Sequence, residues 1–118
     1  MIDWLALLTA ISMVESNLDP KAVNVKEQAY GLYQMRSRAL RDANEVAGTQ
    51  FKARDLGDPR VATAMLRAYC FRYLGNEPQL TDVVDLWNSG PNTMKAGTDY
   101  KERVMNLYEE LTTKEPTK

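Results

Sequence analysis

Apolar residues return at helical spacing along most of this chain, and almost nowhere do they alternate as a strand requires. Trp4, Leu7, Leu8, Ile11, Val14 and Leu18 trace one face of a first helix, with Asp3 placed to cap its start and Pro20 just past its end. From Leu18 to Gln28 the pattern dissolves into Asn, Asp, Pro and Lys. From Ala29 to Met35 a glycine, Gly31, sits between aromatic residues, so this stretch reads as a loop entering a tight, functional turn. A second helix is expected from about Ser37 to Val46, stopped by Gly48. Asp58-Pro59 supplies an N-cap followed by proline at the first helical position, and a long helix should run from there to Gly75-Asn76. Its broad apolar surface, which includes Val61, Ala64, Met65, Tyr69 and Phe71, suits a central helix contacted on several sides. A shorter helix is expected near Leu80 to Trp87, halted by Ser89-Gly90-Pro91. A last one, from about Asp99 to Leu111, should bury Tyr100, Val104, Leu107, Tyr108 and Leu111 on one stripe. The fold class is therefore mainly α, with no internal repeat or low-complexity segment.

A chain of 118 residues that is 44% hydrophobic can build one core but not two of ordinary size. One domain is expected over residues 1–111, followed by a fraying tail over 112–118, where Thr, Lys, Glu and Pro show no apolar periodicity. The formal net charge of -1 argues against nucleic acid as a partner, because phosphate-backbone binding needs clustered cations. Arg36, Arg38 and Arg41 do cluster, beside Asp42 and Glu45. A solvated helix face is the plain account of them, and a contact for an anionic glycan or peptide is the alternative.

The chain has no histidine, which removes His-based triads, His proton shuttles and the usual zinc sites together. No metal or other cofactor is expected. Its single cysteine, Cys70, excludes an internal disulfide and, among Tyr69, Phe71 and Leu74, reads as a small buried hydrophobe. The apolar run from Trp4 to Val14 lacks a basic leader, follows Asp3 and is too short to span a bilayer, so neither an export signal nor membrane insertion is expected.

Glu15 breaks the amphipathic pattern. On a wheel of about 100° per residue it falls in the stripe of Trp4, Leu8 and Ile11 rather than on the polar side, which aims a carboxylate at the core. Burial disfavours ionisation, and a carboxyl whose pKa is raised toward neutrality suits a proton donor. The competing account is that the helix ends near Glu15, so that the side chain escapes to solvent or pairs with an arginine.

The neighbours of Glu15 favour the first account. Glu15-Ser16-Asn17-Leu18-Asp19-Pro20-Lys21-Ala22, then Ala29-Tyr30-Gly31-Leu32-Tyr33-Gln34-Met35, then Asp58-Pro59, then Trp87-Asn88-Ser89-Gly90-Pro91, resembles the soluble lytic transglycosylase family in motif and order over roughly residues 5 to 108. The resemblance implies a lysozyme-like single helical domain whose cleft binds the amino-sugar strand of peptidoglycan. It implies that Glu15 protonates the glycosidic oxygen and then, as a base, accepts a proton from the muramic C6 hydroxyl, giving a 1,6-anhydro sugar. No water is consumed, so no second catalytic carboxylate is required, whereas an ordinary glycosidase needs a pair. Gln34 and Met35 match the segment whose amide orients groups around the acid and whose hydrophobe lines the cleft. Tyr30 and Tyr33 are candidates to stack on sugar rings, and core or rim packing is their alternative role. Asn88 matches the asparagine beside the reacting sugar, and Tyr100 with Val104 resembles the segment that completes the cleft.

The chain departs from the family pattern at two places. Trp87 stands where the family has a tyrosine whose hydroxyl lies close to the catalytic Glu, and an indole can donate but not accept. Asn24 stands near where the family often has a serine by the reacting sugar. Two other functions remain: an inverting hydrolase similar to goose-type lysozyme, with Asp19 or Glu27 positioning water, or a silent glycan-binding or assembly module. Delivery to the periplasmic cell wall by a phage particle or by a secretion or conjugation apparatus is expected by analogy, possible membership of a larger assembly included.

Overall fold

A computed structural model of the chain describes residues 1–113. Five helices surround one core, in the order α1 (Trp4–Ser16), α2 (Ser37–Ala47), α3 (Pro59–Leu74), α4 (Leu80–Ser89) and α5 (Thr98–Thr112). A short 3-10 turn, Ala53–Gly57, leads into α3. Thr112, expected in the tail, belongs to α5, and the rest of the expected tail from residue 114 to 118 lies outside the described residues.

The helix boundaries follow local chemistry. The Asp3 carboxylate accepts from the Ala6 N–H at 3.1 Å, satisfying one of the open donors at the start of α1. Asp58 caps α3 in the same way, accepting from the Arg60 N–H at 2.9 Å, with Pro59 at the first helical position. Gly48 closes α2 in the left-handed conformation. At the end of α1, Asn17 takes the left-handed conformation, its N–H donating to the Met13 carbonyl and that of Leu18 to the Ser12 carbonyl. This pair of bonds turns the chain out of the helix two residues before the apolar pattern suggests. Leu18, expected on the buried face, is consequently exposed.

Between α1 and α2 lies a feature the apolar pattern does not announce, a three-stranded antiparallel sheet of two-residue strands: β1 (Val23–Asn24), β2 (Ala29–Tyr30) and β3 (Met35–Arg36). Val23 pairs with Tyr30, and Tyr30 with Met35. Strands this short cannot show alternation. Gly31 follows β2 with φ of +82°, and a Cβ there would stand 2.5 Å from the Leu56 carbonyl oxygen. Both the backbone conformation and the close approach of the 3-10 turn therefore require glycine.

Leu7, Ile11, Leu56, Met65, Leu66, Val83, Leu86 and Val104 are completely or almost completely buried and join α1, the 3-10 turn and α3 to α5 in one core. Helix α2 packs along α3, and α5 along α1, which leaves a trough between the two pairs. Three expected core positions face outward: Ala64 and Phe71 on α3 and Leu111 on α5 are exposed. Helix α3 is therefore covered on one broad side rather than all round. Cys70 is buried, and burial pushes its thiol up to about 12, which leaves it protonated and unreactive near neutrality.

Candidate active site

The trough is a cleft of about 810 Å³, and Glu15 lies in its wall. Helix α1 ends one residue beyond Glu15, as the competing account supposes, yet the side chain does not escape. It is half-buried, and its Oε2 accepts a hydrogen bond from the Tyr100 hydroxyl at 2.9 Å. Desolvation dominates its electrostatics and raises its pKa from the ordinary 4.5 to about 6. The Tyr100 hydrogen bond and the Arg36 charge pull the value down, and the Glu27 charge pushes it up. Burial and the adjoining Glu15 carboxylate push the Tyr100 phenol strongly upward, so Tyr100 remains a neutral donor.

Met35 is buried and Gln34 half-buried, and both line the cleft. Gln34 has a φ of +55°, and its amide nitrogen donates to the Gly31 carbonyl at 3.0 Å and the Ala22 carbonyl at 3.3 Å. Those bonds lock the turn after β2 to the segment before β1 and leave the amide oxygen as the group able to accept from elsewhere. Asn24 also lines the cleft, its side-chain oxygen accepting from the Glu27 N–H at 3.1 Å to hold the β1–β2 connection.

Trp87 lines the cleft, but its indole N–H is directed at the Tyr33 carbonyl, 2.9 Å away, rather than at Glu15. Its ring meets Tyr69 edge to face, with centroids 5.6 Å apart. The hydroxyl that contacts Glu15 comes from Tyr100 on α5 instead. Asn88 and Ser89, at the end of α4, pin the segment that leads to α5. The Asn88 side-chain oxygen accepts from the Gly97 N–H at 2.9 Å, and the Ser89 hydroxyl accepts from the Lys95 N–H at 2.7 Å while donating to the Asp85 carbonyl at 2.7 Å. Asp85 completes the anchor by accepting from the Ala96 N–H at 2.9 Å.

Tyr33 and Tyr30 are not brought to the cleft. Tyr33 is only 4% exposed, and its hydroxyl pairs with that of Thr63 on α3 at 2.8 Å. Its part in the site is the backbone carbonyl that receives Trp87. Tyr30, half-buried in β2, packs against the core. Asp19 is likewise outside the cleft, its carboxylate accepting from the Lys21 N–H in a local turn.

Several lining residues carry no sequence signal of their own: Asp42 on α2, Tyr69 and Tyr73 on α3, and Arg103 on α5. Tyr73 donates to the Asp42 carboxylate at 2.8 Å across the seam between α2 and α3. Arg103 is three residues beyond Tyr100, a spacing that places the two on one face of α5 and marks Arg103 as a cleft residue once Tyr100 is placed. Arg36 pairs with Glu27 at 2.5 Å at the rim, whereas Arg41 does not line the cleft. Among the described residues no group of three or more His, Cys, Asp or Glu is placed to hold a metal ion, and no helix is long and apolar enough to cross a membrane.

A half-buried carboxylic acid in a polar cleft, with one neutral donor fixed on it, can deliver a proton to a bound ether oxygen and take one back. No curated protein matches the chain. Residues 3–107 match the family described as the transglycosylase SLT domain, whose members are typically lytic transglycosylases acting on peptidoglycan, and the chain belongs to this family with its lysozyme-like helical fold.

Proposed function

We propose that this chain cuts the β-1,4 bond between N-acetylmuramic acid and N-acetylglucosamine in peptidoglycan, with Glu15 as its one catalytic acid and base. In the first step Glu15 gives its proton to the bridging oxygen as the bond from C1 of the muramic residue breaks. In the second, the C6 hydroxyl of the same residue bonds to C1, and its proton passes to the Glu15 carboxylate. The product is a 1,6-anhydro ring, the enzyme regains its starting protonation state, and no water enters the balance. The observation that carries the proposal is the state of Glu15, half-buried in the cleft with its pKa raised to about 6 and its Oε2 held by Tyr100. Near neutrality such a group can act in both directions.

One further observation bears on the hydrolase alternative. Glu27 lies in the same cleft as Glu15, as a second carboxylate must to activate water. Its pairing with Arg36 at the rim weighs against that role, since the carboxylate is already engaged by the guanidinium rather than free to hold a water. Digestion of purified sacculi, followed by mass spectrometry of the soluble products, tests the proposal. Products one water lighter than reducing muropeptides, lost in folded Glu15→Gln, are expected. Reducing-end products would assign the chain to the hydrolases, and sacculus binding without soluble product would assign it to the glycan-binding modules.

A further inference from the structure

The charges lining the cleft are equal in number but mostly unpaired with one another. Three arginines line it, Arg36, Arg38 and Arg103, along with three carboxylates, Glu15, Glu27 and Asp42. Arg36 is taken by Glu27, and Asp42 accepts from the Tyr73 hydroxyl. Arg38 and Arg103 form no ion pair with any of the described residues, and both are exposed. They stand on different walls: Arg38 near the start of α2, and Arg103 on α5 one turn beyond the Tyr100 that holds Glu15.

Two guanidinium groups without internal partners, in a chain of net charge -1, are poorly suited to a neutral sugar strand, which offers hydroxyls and acetamido groups. A guanidinium presents a rigid fork of donors that matches a carboxylate with two parallel hydrogen bonds. In peptidoglycan the carboxylates are carried by the peptide stems, attached to the muramic residue whose glycosidic bond the proposed reaction breaks. We infer that Arg38 and Arg103 bind carboxylates of the stem peptides, so that the preferred substrate is a stem-bearing strand rather than a bare glycan. This rests on the cleft being the peptidoglycan site proposed above.

The test is calorimetric, using soluble uncrosslinked glycan strands with their stems intact and the same strands with the stem carboxylates converted to neutral methylamides, since removing the stems by an amidase would free a lactyl carboxylate on every muramic residue. Glu15→Gln serves as the binding protein, so that no turnover intrudes and the result is independent of the kind of product the wild type makes. Strands with free stem carboxylates are expected to bind at least about tenfold more tightly than the neutralised ones, about what one charge-assisted contact contributes. Adding Arg38→Gln or Arg103→Gln should each remove most of that advantage and leave the affinity for neutralised strands unchanged. Both side chains are exposed, so the fold should survive, with circular dichroism as the check. Equal affinity for the two strands, no binding of either, or equal weakening of both by the arginine substitutions would overturn the inference. Failure of the catalytic proposal shows separately, in the products formed from sacculi by the wild type.

Discussion

Glu15→Gln should make the protein more stable at neutral pH and no more stable in acid. In the unfolded chain Glu15 ionises around its ordinary 4.5, and in the folded protein burial delays ionisation to about 6. Between these values the folded state binds more protons than the unfolded state, so this group's contribution to stability falls as pH rises. Below about pH 4 the carboxyl is protonated in both states and contributes no penalty. Above about pH 7 it is ionised in both, and the cost of holding the buried charge is then complete, at about 2 kcal/mol for a displacement of this size. A glutamine is neutral throughout, nearly isosteric, and its carbonyl can still accept from Tyr100. For a domain of this length the gain at pH 7.5 corresponds to about 8 °C in Tm. Thermal unfolding of both proteins, followed by circular dichroism from pH 4 to pH 8, measures it. A gap that opens with pH and levels off above pH 7 is the expected result. A gap independent of pH, or a variant less stable than the wild type at pH 7.5, would refute the claim that burial dominates at Glu15.

Other substitutions test neighbouring parts of the site. Tyr100→Phe removes the donor that lowers the Glu15 pKa, so the falling limb of the kcat/KM profile should move to higher pH by about one unit; an unmoved limb would mean that the hydrogen bond is not made in solution. Gly31→Ala should lower stability by at least about 2 kcal/mol because a Cβ would collide with the Leu56 carbonyl, whereas Gly48→Ala, at φ of +69° in open space, should cost about 1 kcal/mol; similar losses in denaturant unfolding would contradict the packing account. Trp87→Phe leaves the Tyr33 carbonyl without its donor, and a loss of about 1 kcal/mol or more is expected together with a lower kcat on sacculi; unchanged kcat would separate this clamp from catalysis.

The parts of the fold that were legible in the sequence are those decided within a few residues. Asp3, Gly48 and Asp58-Pro59 set helix ends by chemistry that needs no knowledge of the rest of the chain, and the structure places those ends as expected. Periodicity failed where a local bond overrode it, as at Leu18, which the left-handed turn at Asn17 carries out of α1. It failed again at Phe71 and Leu111, where a helix face continues past the edge of what covers it. The little sheet was illegible because pairing of two-residue strands depends on the turns between them and not on alternation.

In the site, the aim of Glu15 into the structure could be read from its place on the α1 stripe, since helical phase alone fixes it. Tyr33 could not be read in this way. Aromatic residues flanking a glycine turn can face either side, and only the position of Thr63, thirty residues on, shows that this one belongs to the core. The indole bond from Trp87 to Tyr33 spans 54 residues, and the cleft positions of Asp42 and Tyr73 depend on how α2 and α3 come together. Long-range juxtaposition of this kind leaves no trace in residue spacing.

The most direct test of a single acid and base is titration of the Glu15 carboxyl itself, by carbon-detected nuclear magnetic resonance of the folded protein with labelled glutamate, assigned by its absence in Glu15→Gln. A midpoint near 6 is the expected result, since the half-buried side chain and its Tyr100 partner leave desolvation as the largest influence. A midpoint near 4.5, the ordinary value for a glutamate, would contradict the account, because the group would then hold too little proton at neutral pH to act as the acid.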